Sequence, residues 1–186
     1  VALLDAHPDA AFVHSDVDEF FEGREGRWTR RPEIVSGDVL RILLRRNVIH
    51  TMTVVLRGAV LERVGGFDPE YPACEDWDLW LRIAALHPVV GDPARRVRVR
   101  IHAGGISSDP RVVYGQASRL VERAYERLRD AGHPAAGEAR RQAARWHGKY
   151  ARRLAKAGLR DEAVAAFARA TALHPLGRLD ALRAQL

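Results

Sequence analysis

Two short acidic stretches carry the residue types that could do chemistry. The first is Asp16-Val17-Asp18, which ends the apolar run "AAFVHSDV". Two carboxylates one residue apart after a strand are a familiar way to hold a divalent metal beside a diphosphate, because Mg²⁺ and Mn²⁺ prefer oxygen ligands. The same triplet also suits a strand end that leads into the polar turn "EFFEGREGR". The residue types alone leave both interpretations open.

The second stretch is Glu75-Asp76, at the start of "EDWDLWLRIAALH". Acidic residues here predict a helix N-terminus, where backbone N–H groups and the helix dipole favour an ionised carboxylate. Trp77, Trp80 and Leu81 follow on faces that can anchor the helix in a core. Such a pair of carboxylates is suited to accept a proton or to bind a hydroxyl-rich or cationic ligand. Acidic capping of a Trp-rich helix explains the same residues equally well.

The elements that position these residues are short and mixed in type up to about residue 109. Compact, alternating or β-branched apolar runs predict strands, and amphipathic stretches ending at Gly or Pro predict helices. The predicted strands are 10–17, 51–58 and 95–102, and the predicted helices are 37–47, 59–68 and 75–87. Gly65-Gly66 ends the second of these helices, because glycine is the preferred residue just beyond a helix C-terminus. Residues 1–109 are therefore predicted to form an α/β layer structure.

From residue 110 onward the pattern is helical throughout. The predicted helices are 111–131, 135–157, 160–173 and 176–185, separated by Gly132, His133-Pro134, Gly158 and Pro175. Between 135 and 175 a set of small and aromatic residues recurs at the spacing of a tetratricopeptide-like helix pair. These residues are Tyr150, Ala151, Leu154, Gly158, Ala163, Phe167, Ala170 and Pro175. One pair is visible, whereas a solenoid needs about three repeats, so we expect residues 110–186 to form a small all-α appendage.

Length and composition narrow the functional classes. The chain has 186 residues, of which 47% are hydrophobic and 29% charged, as is ordinary for a soluble globular protein. No apolar run approaches the roughly 20 residues needed to span a bilayer. The first residues, "VALLDAHPD", already resemble the last turns of a helix, so we expect the chain to begin inside an element. The single cysteine, Cys74, excludes an internal disulfide and suits a reducing compartment.

The charge is unevenly distributed along the chain. Residues 1–109 carry a balance of −3 and residues 110–186 a balance of +9, which give the total of +6. A basic region of this kind could bind nucleic acid or an anionic membrane surface. The arginines are, however, dispersed at helical spacing among alanines and leucines, and no aromatic stacking platform accompanies them. Solvated faces of Arg-rich helices explain the excess, and nucleic acid is not an expected partner.

Several motifs in a fixed order resemble the C-terminal half of family-2 glycosyltransferases with the GT-A fold. The stretch "RGAVLERVGGFDPEYPACEDWDLWLRIAALHPV" is similar to a helix ending in Gly-Gly-Phe-Asp, a variable loop, Glu-Asp and a "WDLWLR"-like helix. The stretch "VRVRIHAGGISSD" resembles the strand that follows, which ends in a His before a Ser-containing loop. The matching segment runs from about residue 1 to 109. The implied fold is α/β, a partial GT-A-like mixed sheet with packed helices, followed by the all-α region.

The resemblance implies roles for the matching residues. Asp76, or its neighbour Glu75, matches the general base that deprotonates an acceptor hydroxyl for in-line attack on the anomeric carbon, with inversion. Side-chain carboxylates are ionised at neutral pH, so this base needs no special activation. His102 matches a position that in some members helps to bind the metal or the donor diphosphate, and an ordinary strand-end histidine is the alternative. Ser107 and Ser108 could contact phosphate.

The same resemblance changes the interpretation of Asp16-Val17-Asp18. In the family the metal-binding Asp-x-Asp precedes a helix, and a second strand much like "HPDAAFVHSDVDEF" follows that helix. The triplet aligns with this second strand, and its interval of 57 residues to Glu75 is shorter than the family's usual interval from metal motif to base. We therefore expect Asp16 and Asp18 to cap a strand end. We also expect the metal motif and the donor-binding half to precede Val1, and the 186 residues alone to be inactive.

Taken together, these motifs predict an inverting glycosyltransferase that uses a divalent metal, Mg²⁺ or Mn²⁺. The expected partners are a nucleotide-sugar donor and a glycan or lipid-linked acceptor. The family implies a cytoplasmic enzyme of cell-surface glycan synthesis, with peripheral membrane association left open. The competing interpretation is a non-enzymatic module in which the tetratricopeptide-like helices bind a protein and the acidic helix is structural.

Overall fold

A computed structural model describes residues 1–21, 34–101 and 109–174. The chain divides into two compact units. The first comprises Val1–Asp68 and Leu79–Ser108, and the second comprises Pro69–Asp78 and Asp109–Leu186. The segment Pro69–Asp78, which the sequence pattern places in the α/β region, therefore belongs with the helices.

The first unit contains a mixed three-stranded sheet with the order β2-β1-β3. Strand β1 is Phe12–Phe21, β2 is Val55–Leu56 and β3 is Val90–Ile101. Strand β1 runs antiparallel to β2 and parallel to β3, with which it forms nine residue pairs. The described residues thus have the mixed α/β architecture that the sequence predicts, whereas the likeness of the sheet to a GT-A sheet stays a prediction.

The predicted strand 51–58 needs correction. Its first residues form a 3-10 turn, Thr51–Thr53, and the strand itself is the two-residue β2. The Thr53 hydroxyl donates a hydrogen bond of 2.7 Å to the His50 carbonyl, which satisfies the backbone locally instead of in the sheet. Gly58 already begins the next helix.

Strand β3 begins five residues before the predicted start at residue 95. Ser15 pairs with Asp92 and Asp16 pairs with Arg95, so Pro93 and Ala94 bulge out of the ladder between them. Proline is tolerated at such an irregularity because its missing N–H is not needed there. Beyond the bulge valines are half-buried and arginines exposed in strict alternation from Val97 to Arg100, which confirms the predicted pattern.

Among the residues that the structure describes, four α-helices lie wholly or partly in the first unit. They are α1 (Ala2–Asp5), α2 (Leu40–Arg45), α3 (Gly58–Val64) and α4 (Glu75–Ala84), whose first turn belongs to the second unit. The last three lie where helices are predicted but are shorter. Buried leucines of α2 and the rings of Phe12 and Trp80, whose centroids are 5.0 Å apart, contribute to the core of this unit.

Arg82 on α4 fixes the end of α3. Its guanidinium donates to the carbonyls of Val64 (2.6 Å), Gly65 (3.2 Å) and Gly66 (2.7 Å). A cation at this position satisfies the last carbonyls of α3 and complements the helix dipole. Gly65 has a φ of 79°, a conformation that strongly favours glycine, which confirms its predicted role as the residue that ends α3.

The described part of the second unit contains three long helices. They are α5 (Pro110–Asp130), α6 (Ala136–Lys156) and α7 (Arg160–Leu173), and α6 packs against both of the others. The Asp109 carboxylate accepts the Arg111 N–H at 2.8 Å and Pro110 occupies the first turn, so the start of α5 is set by local signals. The three predicted helices are confirmed to within one residue at each end. The fourth, 176–185, lies outside the described residues.

The pair α6–α7 has the packing that its small residues predict. Ala151, Leu154, Ala163 and Ala166 form a buried cluster, with Tyr150 and Leu159 packed against it. Phe167, which belongs to the same set of recurring residues, is 44% exposed and lies outside this cluster. The buried face of α7 runs through Ala163, Ala166 and Leu173, and Val164 is also exposed.

Candidate functional site

The first turn of α4 presents the two carboxylates that the sequence selects. Glu75 and Asp76 are its first two residues; Glu75 is exposed and Asp76 half-buried. The Asp76 Oδ1 atom accepts the N–H of Trp77 at 2.6 Å, and the Asp78 N–H donates to the Cys74 carbonyl at 3.1 Å. The Asp76 carboxylate is therefore held by the backbone of its own helix.

The preceding residue, Cys74, adopts a left-handed conformation with a φ of 69°. A non-glycine residue in this region costs of order 1–3 kcal/mol unless its surroundings compensate. Burial raises the pKa of its thiol to about 12, and the nearby charges of Asp76 and Glu75 act in the same direction. The thiol stays protonated at neutral pH, so Cys74 is not a nucleophile and the charge at this turn comes from the carboxylates.

Residues of α5 and α6 contact this turn within the second unit. The Arg127 Nη2 atom donates to Asp78 Oδ1 at 2.6 Å, and Asp78 is fully buried. The ring of Trp77 meets that of Trp146 edge to face, with centroids 5.2 Å apart. The sequence pattern identifies Trp77 as an anchor but not its partner, and it misses Asp78, whose burial distinguishes it from the neighbouring acids.

The Asp16-Val17-Asp18 triplet lies in the middle of β1, so the expectation that it caps a strand end is wrong. The reason is the long parallel pairing of β1 with β3, which carries the strand on to Phe21. Arg95 lies between the two carboxylates: its Nε donates to Asp16 at 3.0 Å and its Nη1 to Asp18 at 3.1 Å. A guanidinium already occupies the position between these oxygens, so the arrangement does not fit a divalent metal.

The remaining predicted ligands give no further metal site. His102, Ser107 and Ser108 lie outside the described residues. Within residues 1–21, 34–101 and 109–174, no group of three or more His, Cys, Asp or Glu side chains is placed to hold a metal ion. Asp16 and Asp18 belong to the first unit and Glu75 and Asp76 to the second.

A further cluster of charged residues lies on the helices of the second unit. Glu122 on α5 accepts from His147 Nε2 at 2.7 Å and from Arg169 Nε at 2.6 Å. Burial alone would raise the pKa of Glu122, but the hydrogen bonds from His147 and Arg169 lower it below the ordinary value. The three residues come from three different helices, so no local sequence signal could have brought them together.

An open depression lies beside this cluster. Its volume is about 680 Å³, and it is lined by Glu70, Tyr71, Arg119, Glu122, Arg123, Glu126 and Arg169. The guanidinium of Arg123 pairs with Glu70 and also hydrogen-bonds to Tyr71. The volume lies in the range of small-molecule sites, but mixed Arg–Glu pairs line it instead of the mostly apolar surface typical of such sites.

No protein-family model, curated protein or solved structure matches this chain. Among the helices that the structure describes, none combines the length and the apolarity needed to cross a membrane.

Proposed function

We propose that the chain carries the acceptor-side part of an inverting family-2 glycosyltransferase, with Asp76 as its general base. One observation carries the proposal: the Glu-Asp pair that follows the Gly-Gly-Phe-Asp motif opens a helix, and contacts from α5 and α6 hold this turn. Arg127 and Trp146 contact Asp78 and Trp77, and Asp76 is tied to the Trp77 N–H. A fixed carboxylate is what general-base catalysis requires.

In the proposed reaction an acceptor hydroxyl attacks the anomeric carbon of a nucleotide-sugar. The Asp76 carboxylate takes the hydroxyl proton, the new glycosidic C–O bond forms, and the bond to the diphosphate breaks with its electron pair on the leaving oxygen. A single in-line displacement of this kind inverts the anomeric configuration. A divalent metal would neutralise the leaving diphosphate. The described residues offer no fitting set of ligands, so Mg²⁺ or Mn²⁺ dependence remains a proposal from the resemblance alone.

Asp76 is favoured over Glu75 on geometric grounds. Its side chain is half-buried and one of its oxygens is bound by a backbone N–H, whereas Glu75 is exposed. A long exposed side chain must lose rotamer freedom before it can take a proton in a defined direction. We therefore propose Glu75 as a neighbour that adds negative charge near the acceptor.

The stereochemistry of the product tests this proposal. The polypeptide as the cell makes it is incubated with UDP-, GDP- and dTDP-sugars and oligosaccharide acceptors, and the anomeric configuration of any product is read by NMR. We expect inversion, and we expect Glu75→Gln to keep kcat within about fivefold of the wild type, less than the 10²-fold minimum typical of a general base. Retention of configuration would contradict a direct displacement assisted by Asp76.

A second candidate is a protein-binding module. The observation that favours it is the exposed pair Val164 and Phe167, which lie one turn apart on α7 and present an apolar face. The candidates differ in which change abolishes function. An enzyme loses transfer on Asp76→Asn, and a binding module loses self-association or partner association on Phe167→Ser, as measured by sedimentation.

A further inference from the structure

Helices α5 and α6 contact the helix turn that carries the candidate base, Asp76, through the side chains of Trp77 and Asp78. Asp78 is 0% exposed, and its Oδ1 accepts from Arg127 Nη2 at 2.6 Å. Trp77, which is 4% exposed, packs edge to face on Trp146 of α6. The backbone N–H of Trp77 donates to Asp76 Oδ1. A movement of this turn therefore moves the Asp76 carboxylate.

The loop before the turn is held from the same side. Arg123, one turn before Arg127 on α5, pairs with Glu70 and hydrogen-bonds to the Tyr71 hydroxyl. Burial raises the pKa of Tyr71, so its hydroxyl stays protonated at neutral pH. Two arginines at i and i+4 on α5 thus lie on one helix face and bind residues on both sides of Cys74.

We propose that Arg127 is a positioning residue for the transfer reaction. The catalytic part of this inference rests on the function proposed above. Arg127 does not contact the reacting atoms; it fixes the buried Asp78 carboxylate and so the turn that aims Asp76. A displacement of about 1 Å at a catalytic group lowers a rate by about 10²-fold.

The ion pair is suited to this role because the Asp78 side chain is fully buried, although the Arg127 side chain that reaches it is 38% exposed. A buried carboxylate that loses its guanidinium leaves the turn or draws in water, and either response changes the helix start. Arg129 provides a matched control on the same turn of α5. It is exposed, and its ion-pair partner is its neighbour Asp130 on α5, not a residue of the loop or turn around Asp76.

The test compares Arg127→Gln, Arg127→Lys and Arg129→Gln in the polypeptide as the cell makes it. Hydrogen exchange of the Trp77 and Asp78 amides reports the order of the turn independently of catalysis. We expect exchange at least about tenfold faster in Arg127→Gln and a kcat per folded molecule about 10- to 100-fold lower with an unchanged KM for the donor. Arg127→Lys recovers most of the kcat, and Arg129→Gln matches the wild type in both measurements.

Each other outcome has a defined meaning. Unchanged exchange in Arg127→Gln, or faster exchange with unchanged kcat, overturns the positioning role. If the wild type itself transfers no sugar while exchange still separates Arg127→Gln from Arg129→Gln, the proposed function fails and the structural contact stands. If Arg127→Gln does not fold, the double variant Asp78→Asn/Arg127→Gln removes the buried negative charge as well, and full kcat in that variant overturns the inference.

Discussion

The Glu122 cluster gives a stability prediction whose size follows from its contacts. In the wild type, the two carboxylate oxygens of Glu122 accept from His147 and Arg169. Glu122→Gln leaves a single carbonyl oxygen for these two donors. Since a carboxylate only accepts, His147 Nε2 carries a proton, and the amide of the substituted side chain can turn its oxygen to one donor only. One donor therefore loses its acceptor, and the bond that is kept is weakened because the substituted side chain carries no charge.

The magnitude depends on exposure. The side chains of Glu122 and His147 are 13% and 10% exposed, so the bond between them counts as buried, worth about 1.5–3 kcal/mol. Arg169 is 51% exposed, and its contribution is screened to about 0.2–1 kcal/mol. We expect Glu122→Gln to lower the free energy of unfolding by about 2 kcal/mol at neutral pH, which lowers the urea midpoint by about 1 M.

The pH dependence gives an independent check. The folded pKa of Glu122 lies below its ordinary value of 4.5, so its stabilisation is present above pH 4.5 and is lost as the pH falls through the folded pKa. Urea unfolding followed by tryptophan fluorescence should therefore show the wild type and Glu122→Gln converging only below pH 4.5. Glu126→Gln, one turn further along α5, is the control and should stay within about 0.5 kcal/mol of the wild type. Equal stability at neutral pH, or a difference that persists in acid, would refute the reasoning.

Two further predictions concern packing at a glycine and a half-buried amine. A Cβ at Gly91 would lie 2.2 Å from Ile34 Cγ2 and 2.7 Å from the Val35 carbonyl oxygen, so Gly91→Ala should cost about 1–3 kcal/mol in urea unfolding. A Cβ at Gly58 would have no atom within 4 Å, so Gly58→Ala is the control. Equal losses of stability in Gly91→Ala and Gly58→Ala would contradict the structure. Burial and the charges of neighbouring arginines lower the pKa of Lys149 below 10.5. Between the folded pKa and 10.5 the unfolded chain therefore binds more protons than the folded chain, so the free energy of unfolding rises with pH in this range. Lys149→Met should remove this rise, and an unchanged slope of the urea midpoint against pH would count against it.

The parts of the fold that the sequence predicts correctly are set by local signals. Asp109-Pro110, Gly132 and Gly158 mark the ends of α5, α6 and α7 within a few residues of sequence, and glycine at positive φ also ends α3. Such signals act through the nearest backbone groups, so they need no knowledge of the rest of the chain.

The misplaced features depend on distant residues. The Asp16-Val17-Asp18 triplet looks like a strand end because its polarity is local, but its partner Arg95 is 79 residues away in sequence. The pairing of β1 with β3 buries Asp16 and gives it a cation, which local polarity cannot reveal. Register between strands depends on the whole sheet.

The candidate site shows the same division. The sequence locates Glu75 and Asp76 at a helix start, and the structure places them there. It does not reveal that Arg127 and Trp146 hold the turn, because Arg127 lies 49 residues from Asp78 and resembles any other arginine on an exposed helix face. Contacts of this kind follow from tertiary packing and leave no periodic trace in the sequence.

The measurement that tests the central claim most directly is the kcat of Asp76→Asn in sugar transfer, normalised to the folded fraction seen by circular dichroism. Asparagine keeps the size of the side chain and can still accept the Trp77 N–H, but it cannot take a proton at neutral pH. General-base catalysis by Asp76 predicts a fall of about 10²- to 10⁴-fold with little change in the donor KM. A kcat within about threefold of the wild type, well short of the smallest loss expected for a general base, would show that Asp76 does not perform this step.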